Sequence, residues 1–94
     1  INKLLEKNKL TIEDIHCLLP HQPSIRILKD IAGSIGMPFD LVKTNMDRYA
    51  NTSGGTIPIV LDEVRKGEGF KPGEIVLMAS IGAGMTWATA LYKW

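Results

Sequence analysis

Cysteine occurs once in the 94 residues and histidine twice. No internal disulfide can therefore close, and no cluster stands at metal-ligand spacing. Charge of one sign is also lacking. Eleven Lys and Arg against ten Asp and Glu leave a formal net charge of +1, which gives no strong preference for nucleic acid or an anionic membrane. The chain has no internal repeat, linker, low-complexity tract or recognisable signal peptide, and cytosol is the default expectation. Its first residue is Ile1, so the expectation is a processed or excised chain, or the ordered remainder of something longer. Hydrophobic residues at 45% and charged residues at 22% are ordinary globular composition and argue against disorder. Ninety-four residues suit one small domain, or part of a larger one, with a thin stability margin.

The longest uncharged run, "IVLMASIGAGMTWATALY" from Ile75 to Tyr92, reaches the lower length limit for a membrane span. It follows the turn-forming "FKPGE", is broken by Gly82 and Gly84, and carries Ser80, Thr86 and Thr89 among its β-formers. Two buried strands joined through a glycine turn explain it better than a membrane helix.

Upstream, residues 2–10 read as the last turns of a helix, and "TIED" as a short turn capped by Thr11. "IHCLLPH", Ile15 to His21, has buried-strand character. "SIRILKDIAGSIGM" sets Ile25, Leu28, Ile31 or Ala32, and Ile35 at helical spacing, with Ser24 as start and Gly36 as stop. A second, irregular strand is expected over 40–49, then a helix from "TIPIVLDEVRKGEG", where Pro58 is tolerated in the first turn. This order predicts an α/β fold: parallel pairing through right-handed crossovers and an antiparallel end.

In such sheets ligands gather where strands run into helices. Three candidates fall there: His21, Asn51 and the "GAG" of Gly82, Ala83 and Gly84. His21 is either a plain hydrogen-bonding histidine or, fixed between Pro20 and Pro23, a held imidazole serving as general base or oxyanion donor. Asn51, in "YANTSGGTIP", is either a turn asparagine or an amide donor beside His21; "NTS" also fits a glycosylation sequon, of little weight without a secretory signal. A Cys17–His21–Asn51 triad fails on geometry. Four strand residues put Cys17 roughly 13 Å from His21, beyond hydrogen-bond reach. Cys17 then reads as a buried small hydrophobe and His16 as structural or surface. "GAGMTW" lacks the third glycine of the dinucleotide fingerprint and "SGGT" the lysine of a P-loop. The glycine loop offers unobstructed backbone N–H groups, a possible oxyanion hole, or simply room for two strands to turn. Arg26 is solvated on its helix or meets an anionic ligand at a pocket mouth.

"LLPHQPSIRI", "DRYANTSGGTIPIVLDE" and "GAGMTW" together resemble, in order and spacing, the C-terminal half of β-ketoacyl-acyl carrier protein synthase III, a thiolase-fold condensing enzyme. The resemblance covers essentially the whole chain. It implies a thiolase-like α/β domain portion, residues 1–94, with a mixed sheet, helices and a closing antiparallel strand pair, and without the first strand of that half. That strand is expected between the second and fourth of the half. A chain without it is expected to fold poorly, to pair the two edges directly, or to associate through them.

The family joins an acyl-CoA primer to malonyl-acyl carrier protein with loss of carbon dioxide, in fatty acid biosynthesis. By resemblance, His21 and Asn51 stabilise the malonyl thioester oxyanion, a backbone N–H of Gly82 to Gly84 holds the acyl-thioester oxygen, Ser24 and Arg26 face coenzyme A or carrier protein, and Ile81 and Met85 border the acyl chain. No metal or further cofactor is implied, and the complete enzyme is expected to be a homodimer. The family's nucleophilic cysteine matches nothing here, so the chain alone is expected to be inactive. "HQPS" stands for the usual "HQAN", Ala50 for a common glycine, and "IGAGM" for "FGGGF". The other function classes are a non-catalytic module of the same fold that binds coenzyme A or carrier protein, and a hydrolase using Cys17.

Overall fold

The computed structural model describes all 94 residues. A helical segment α1 (Asn2–Lys7) leads to a turn in which the Asp14 carboxylate accepts from the Thr11 N–H at 2.7 Å, closing the expected "TIED" cap. The chain then enters strand β1 (Ile15–Pro20), helix α2 (Ile25–Ile35), a short helical turn α3 (Met46–Tyr49), helix α4 (Thr56–Lys66), and strands β2 (Ile75–Gly82) and β3 (Thr86–Lys93). No helix is long and apolar enough to cross a membrane.

Helix α2 starts and stops where its sequence says, and α4 starts as expected at Thr56 but ends at Lys66, before the glycines. Ser24 is extended and its hydroxyl accepts from the Ile27 N–H at 3.2 Å, while Gly36 ends α2 in the left-handed conformation that glycine adopts without strain. Buried Leu28 and Ala32 turn α2 towards the sheet, where they join Leu5, Ile15, Leu18, Met37, Val42 and Leu77. Helix α4 covers the other face, where Val60 and Val64 meet Cys17, Leu19 and Val76. Alternate residues of β1 thus feed two separate clusters, so the strand is buried on both faces and reads as a continuous apolar run.

Two expectations are corrected. Residues 40–49 do not form a strand. Only Val42 makes a bridge, parallel to Leu18, with the Lys43 N–H donating to the Leu18 carbonyl at 2.9 Å. The apolar stretch there is only Leu41 and Val42. The polar run that follows pairs with no strand; it buries Asn45 through hydrogen bonds and winds into α3. Nor does any strand belong between β1 and β2. They pair directly and in parallel from Cys17↔Val76 to Pro20↔Ala79, and the sheet order is β1-β2-β3. A gap would have left both lines of backbone groups unpaired between two helical layers, at a heavy desolvation cost.

Strand β3 closes the sheet antiparallel to β2, from Ile75↔Lys93 to Gly82↔Thr86. Against the expectation of two buried strands, its side chains are largely exposed, with Trp87 at 77% and Tyr92 at 53%. The Cα radius of gyration of 12.6 Å is what about 94 residues need when compact, roughly 12.4 Å. The accessible area of 6003 Å² nevertheless exceeds the roughly 5,400 Å² typical of a monomer of this mass. The surplus fits the open outer side of β3.

Candidate active site

Three loops meet at the carboxyl ends of β1 and β2. The His21 N–H donates to the Ala79 carbonyl at 2.8 Å, which carries the β1–β2 ladder one residue past the end of β1. Ser53 and Gly54 arrive from the turn before α4, and Gly82 and Ala83 from the β2–β3 turn. With His21, Ser80 and Ile81 they line a cavity of about 470 Å³. A second, more apolar cavity of about 550 Å³ shares His21, Ser80 and Ile81 and continues over Pro23, Ile27 and Trp87. The two spaces therefore share a wall formed by His21, Ser80 and Ile81.

No side-chain hydrogen bond engages His21, so its ring nitrogens are free to address whatever enters. The next residue points the opposite way. Gln22 is fully buried, its Nε2 donating to the carbonyls of Pro20 (3.2 Å) and Lys43 (3.1 Å) and its Oε1 accepting from the Asn45 N–H at 3.3 Å. Alternate direction along an extended segment lets one residue be anchored and its neighbour presented. Asn45, itself 2% exposed, donates through Nδ2 to Glu63 Oε2 at 3.0 Å, and Glu63 also accepts from Arg48 at 3.2 Å. The hydrogen bond to Glu63, with the nearby charge of Asp47, holds the Arg48 guanidinium above its ordinary pKa.

Asn51 is exposed and accepts from the Ser53 N–H through Oδ1 at 2.9 Å, an Asx turn that leaves its Nδ2 donors unengaged. It stands two residues before Ser53 but does not itself line the cavity. Ala50, just before it, has φ 54° and ψ −148°, a conformation that glycine tolerates and alanine resists.

Of the remaining expected residues, Gly82 and Ala83 reach the cavity and Gly84, at φ 72°, shapes the turn behind them. A Cβ on Gly82 would stand 3.1 Å from the Thr86 hydroxyl. Ile81 lines both cavities, whereas Met85, 74% exposed, lines neither. The Ser24 hydroxyl is occupied as the α2 cap, and Arg26 is exposed in the first turn of α2 without an ion-pair partner.

Cys17 lies in the α4-side cluster, fully buried, with its thiol pushed up to about 11, chiefly by burial. A thiol so held is a poor nucleophile. His16 lies 3.3 Å from Glu74 and packs edge-on to Phe70, a structural setting. Sequence reasoning missed the Gln22–Asn45–Glu63 chain, buried at its two amides. The Gln beside His21 was its only visible trace.

A sheet carrying helices on both faces, with strand-end loops converging on one histidine, defines a thiolase-like α/β domain. The profile of the family "3-Oxoacyl-[acyl-carrier-protein (ACP)] synthase III C terminal" matches residues 5–94. The chain is 38% identical over its full length to the beta-ketoacyl-[acyl-carrier-protein] synthase III of Clostridium acetobutylicum, covering 29% of that protein. It is 40% identical over 92 residues to that of Porphyromonas gingivalis, covering 27% of it. It superposes on the Thermus thermophilus synthase III crystal structure with TM-score 0.91 at 41% identity, spanning 98% of this chain and 29% of that one. For the Aquifex aeolicus 3-oxoacyl-[acyl-carrier-protein] synthase III the TM-score is 0.95 at 34% identity, over 99% and 30%. This chain belongs to the C-terminal family of 3-oxoacyl-[acyl-carrier-protein] synthase III, and spans under a third of the length of these relatives. Superposition at this level over nearly every residue also means that the direct β1–β2 pairing is the relatives' own arrangement, not a rearrangement around a gap.

Proposed function

We propose that this chain is the C-terminal part of a synthase III that condenses an acyl-CoA primer with malonyl-acyl carrier protein in fatty acid biosynthesis. The observation that carries this reading is the meeting of the His21 turn, the Ser53–Gly54 turn and the Gly82–Ala83 turn around one cavity at the strand ends. In the proposed reaction the bond between the malonyl carboxylate and C2 breaks and carbon dioxide leaves. The electron pair spreads onto the thioester oxygen as C2 attacks the acyl-cysteine carbonyl, and the cysteine thiolate departs. That cysteine comes from outside this chain.

His21 and Asn51 act by donating to the malonyl thioester oxygen as it gains charge. Donors aimed in advance at developing charge lower the barrier because they need no reorganisation during the step. The proline flanks of His21 and the Asx turn of Asn51 support such aiming. A backbone N–H of the Gly82–Gly84 turn holds the acyl-thioester oxygen. The apolar cavity past Pro23 and Ile27 suits the uncharged arm and acyl chain of a thioester, with Ile81 at the junction. Met85, outside both cavities, would reach the acyl chain only from the loop tip. Arg26 offers a guanidinium to the phosphates of coenzyme A or to the carrier protein; Ser24 contributes beside it through the helix start it caps.

The test is to graft this chain in place of the matching C-terminal portion of the Clostridium acetobutylicum relative. Formation of a 3-oxoacyl product by the graft, and none by the 94-residue chain alone, supports the reading. A folded graft that binds coenzyme A without turnover would replace it with the binding-module reading, and product from the chain alone would contradict the assigned division of the site.

A further inference from the structure

The relay behind the cavity joins the two loops that carry the proposed donors. Gln22 directly follows His21 and is fixed by three hydrogen bonds, two of them to the 43–45 segment. Asn45 directly precedes the turn α3, whose four residues lead through Ala50 to Asn51, and it is tied by its side chain to Glu63 on α4. Glu63 in turn holds Arg48, on that same turn, at 3.2 Å. No buried side-chain polar atom lacks a partner, so the relay is complete as it stands. Beside it, residues 40–49 meet β1 through the single Leu18–Val42 bridge and the burial of Val42 against Leu18.

We infer that Gln22, Asn45 and Glu63 are positioning residues, a hydrogen-bonded relay, buried at Gln22 and Asn45 and half-buried at Glu63, that sets His21 and Asn51 relative to one another for the same oxyanion. The inference rests on the synthase reading for its chemistry, but not for its structural content. A buried polar chain that is fully satisfied rigidifies what it joins, and one mismatched member undoes this. Asn45→Asp puts a carboxylate where Glu63 now receives an N–H. Pairing it with Glu63→Gln restores one donor and one acceptor in reversed order.

Two readouts separate the structural claim from the functional one. By hydrogen–deuterium exchange on the 94-residue chain, Asn45→Asp is expected to speed exchange across 46–53 and around His21, and the Asn45→Asp/Glu63→Gln pair to slow it again. In the graft, Asn45→Asp is expected to lower malonyl decarboxylation by about 10- to 100-fold, the scale of a small misplacement. Acyl loading of the cysteine, read by intact mass, should stay within about twofold, since that step uses the Gly82–Gly84 turn instead. A merely structural role would lower both steps together. Equal losses in the two steps, failure of the paired variant to restore decarboxylation, or fast exchange over 46–53 already in the unsubstituted chain would each overturn the relay. A graft with normal protection over 46–53 that takes up no acyl group would instead overturn the synthase reading and leave the relay standing.

Discussion

Cys17 offers a quantitative check on the central sheet and on the exclusion of this thiol from chemistry. Its burial between β2 and α4 removes the solvation a thiolate needs and moves the pKa from 9.0 to about 11; Lys43 opposes the shift, while Glu68 and Glu74 add to it. At pH 8 an unperturbed thiol of pKa 9.0 is about one-tenth ionised and Cys17 about one-thousandth, so alkylation should be about 100-fold slower from charge state alone. The lack of any exposed surface slows it further. Iodoacetamide labelling followed by intact mass, native against urea-unfolded, measures the ratio. The same shift has a stability consequence. The folded pKa lies above the unfolded one, so the protonated thiol's contribution is complete below pH 9 and is lost as pH rises through about 11. The loss amounts to roughly 3 kcal/mol at 1.36 kcal/mol per pH unit. Cys17→Ala, though less stable at neutral pH through its cavity, should lack this alkaline component in urea titrations at pH 8 and pH 11. Native alkylation at the unfolded rate, or identical alkaline losses in the two proteins, would refute the placement of Cys17.

Ala50→Gly should stabilise the chain by about 1 kcal/mol, as relief of backbone strain of about 1–3 kcal/mol outweighs the extra unfolded-state entropy of glycine. Calorimetry should show Tm rising by about 4–8 °C. Ser24→Ala removes the α2 cap and should cost about 1 kcal/mol, read as a lower urea midpoint with an unchanged slope. The open edge of β3 should make the isolated chain associate at high concentration, and Trp87→Lys, which adds a charge beside that edge, should reduce the effect in sedimentation velocity. A wild-type chain that stays monomeric at millimolar concentration would contradict this.

How far the letters reach is clear from particular elements. Helix α2 was legible because its apolar spacing, serine cap and glycine stop all agree, and β2 and β3 because a glycine turn divides an uncharged run. Residues 40–49 were misread since Val42 alone joins the sheet, through one bridge, while the next buried residue, Asn45, is held by hydrogen bonds to Gln22 and Glu63 that the letters do not show. Strand order was misread too. A run buried on both faces says that neighbours exist but not which they are. His21 and the Gly82–Ala83 turn could be placed together because both follow apolar strands. The Gln22–Asn45–Glu63 relay could not, since a buried amide and a surface amide are the same letter and only the fold decides its partners.

The most direct measurement is malonyl-thioester decarboxylation by the graft carrying His21→Ala or Asn51→Ala, followed beside acyl loading of its cysteine. Loss of one oxyanion donor should lower decarboxylation by about 100- to 1,000-fold, with loading left nearly unchanged in either variant. Decarboxylation at the unsubstituted rate in both variants would contradict the assignment of His21 and Asn51 to the oxyanion.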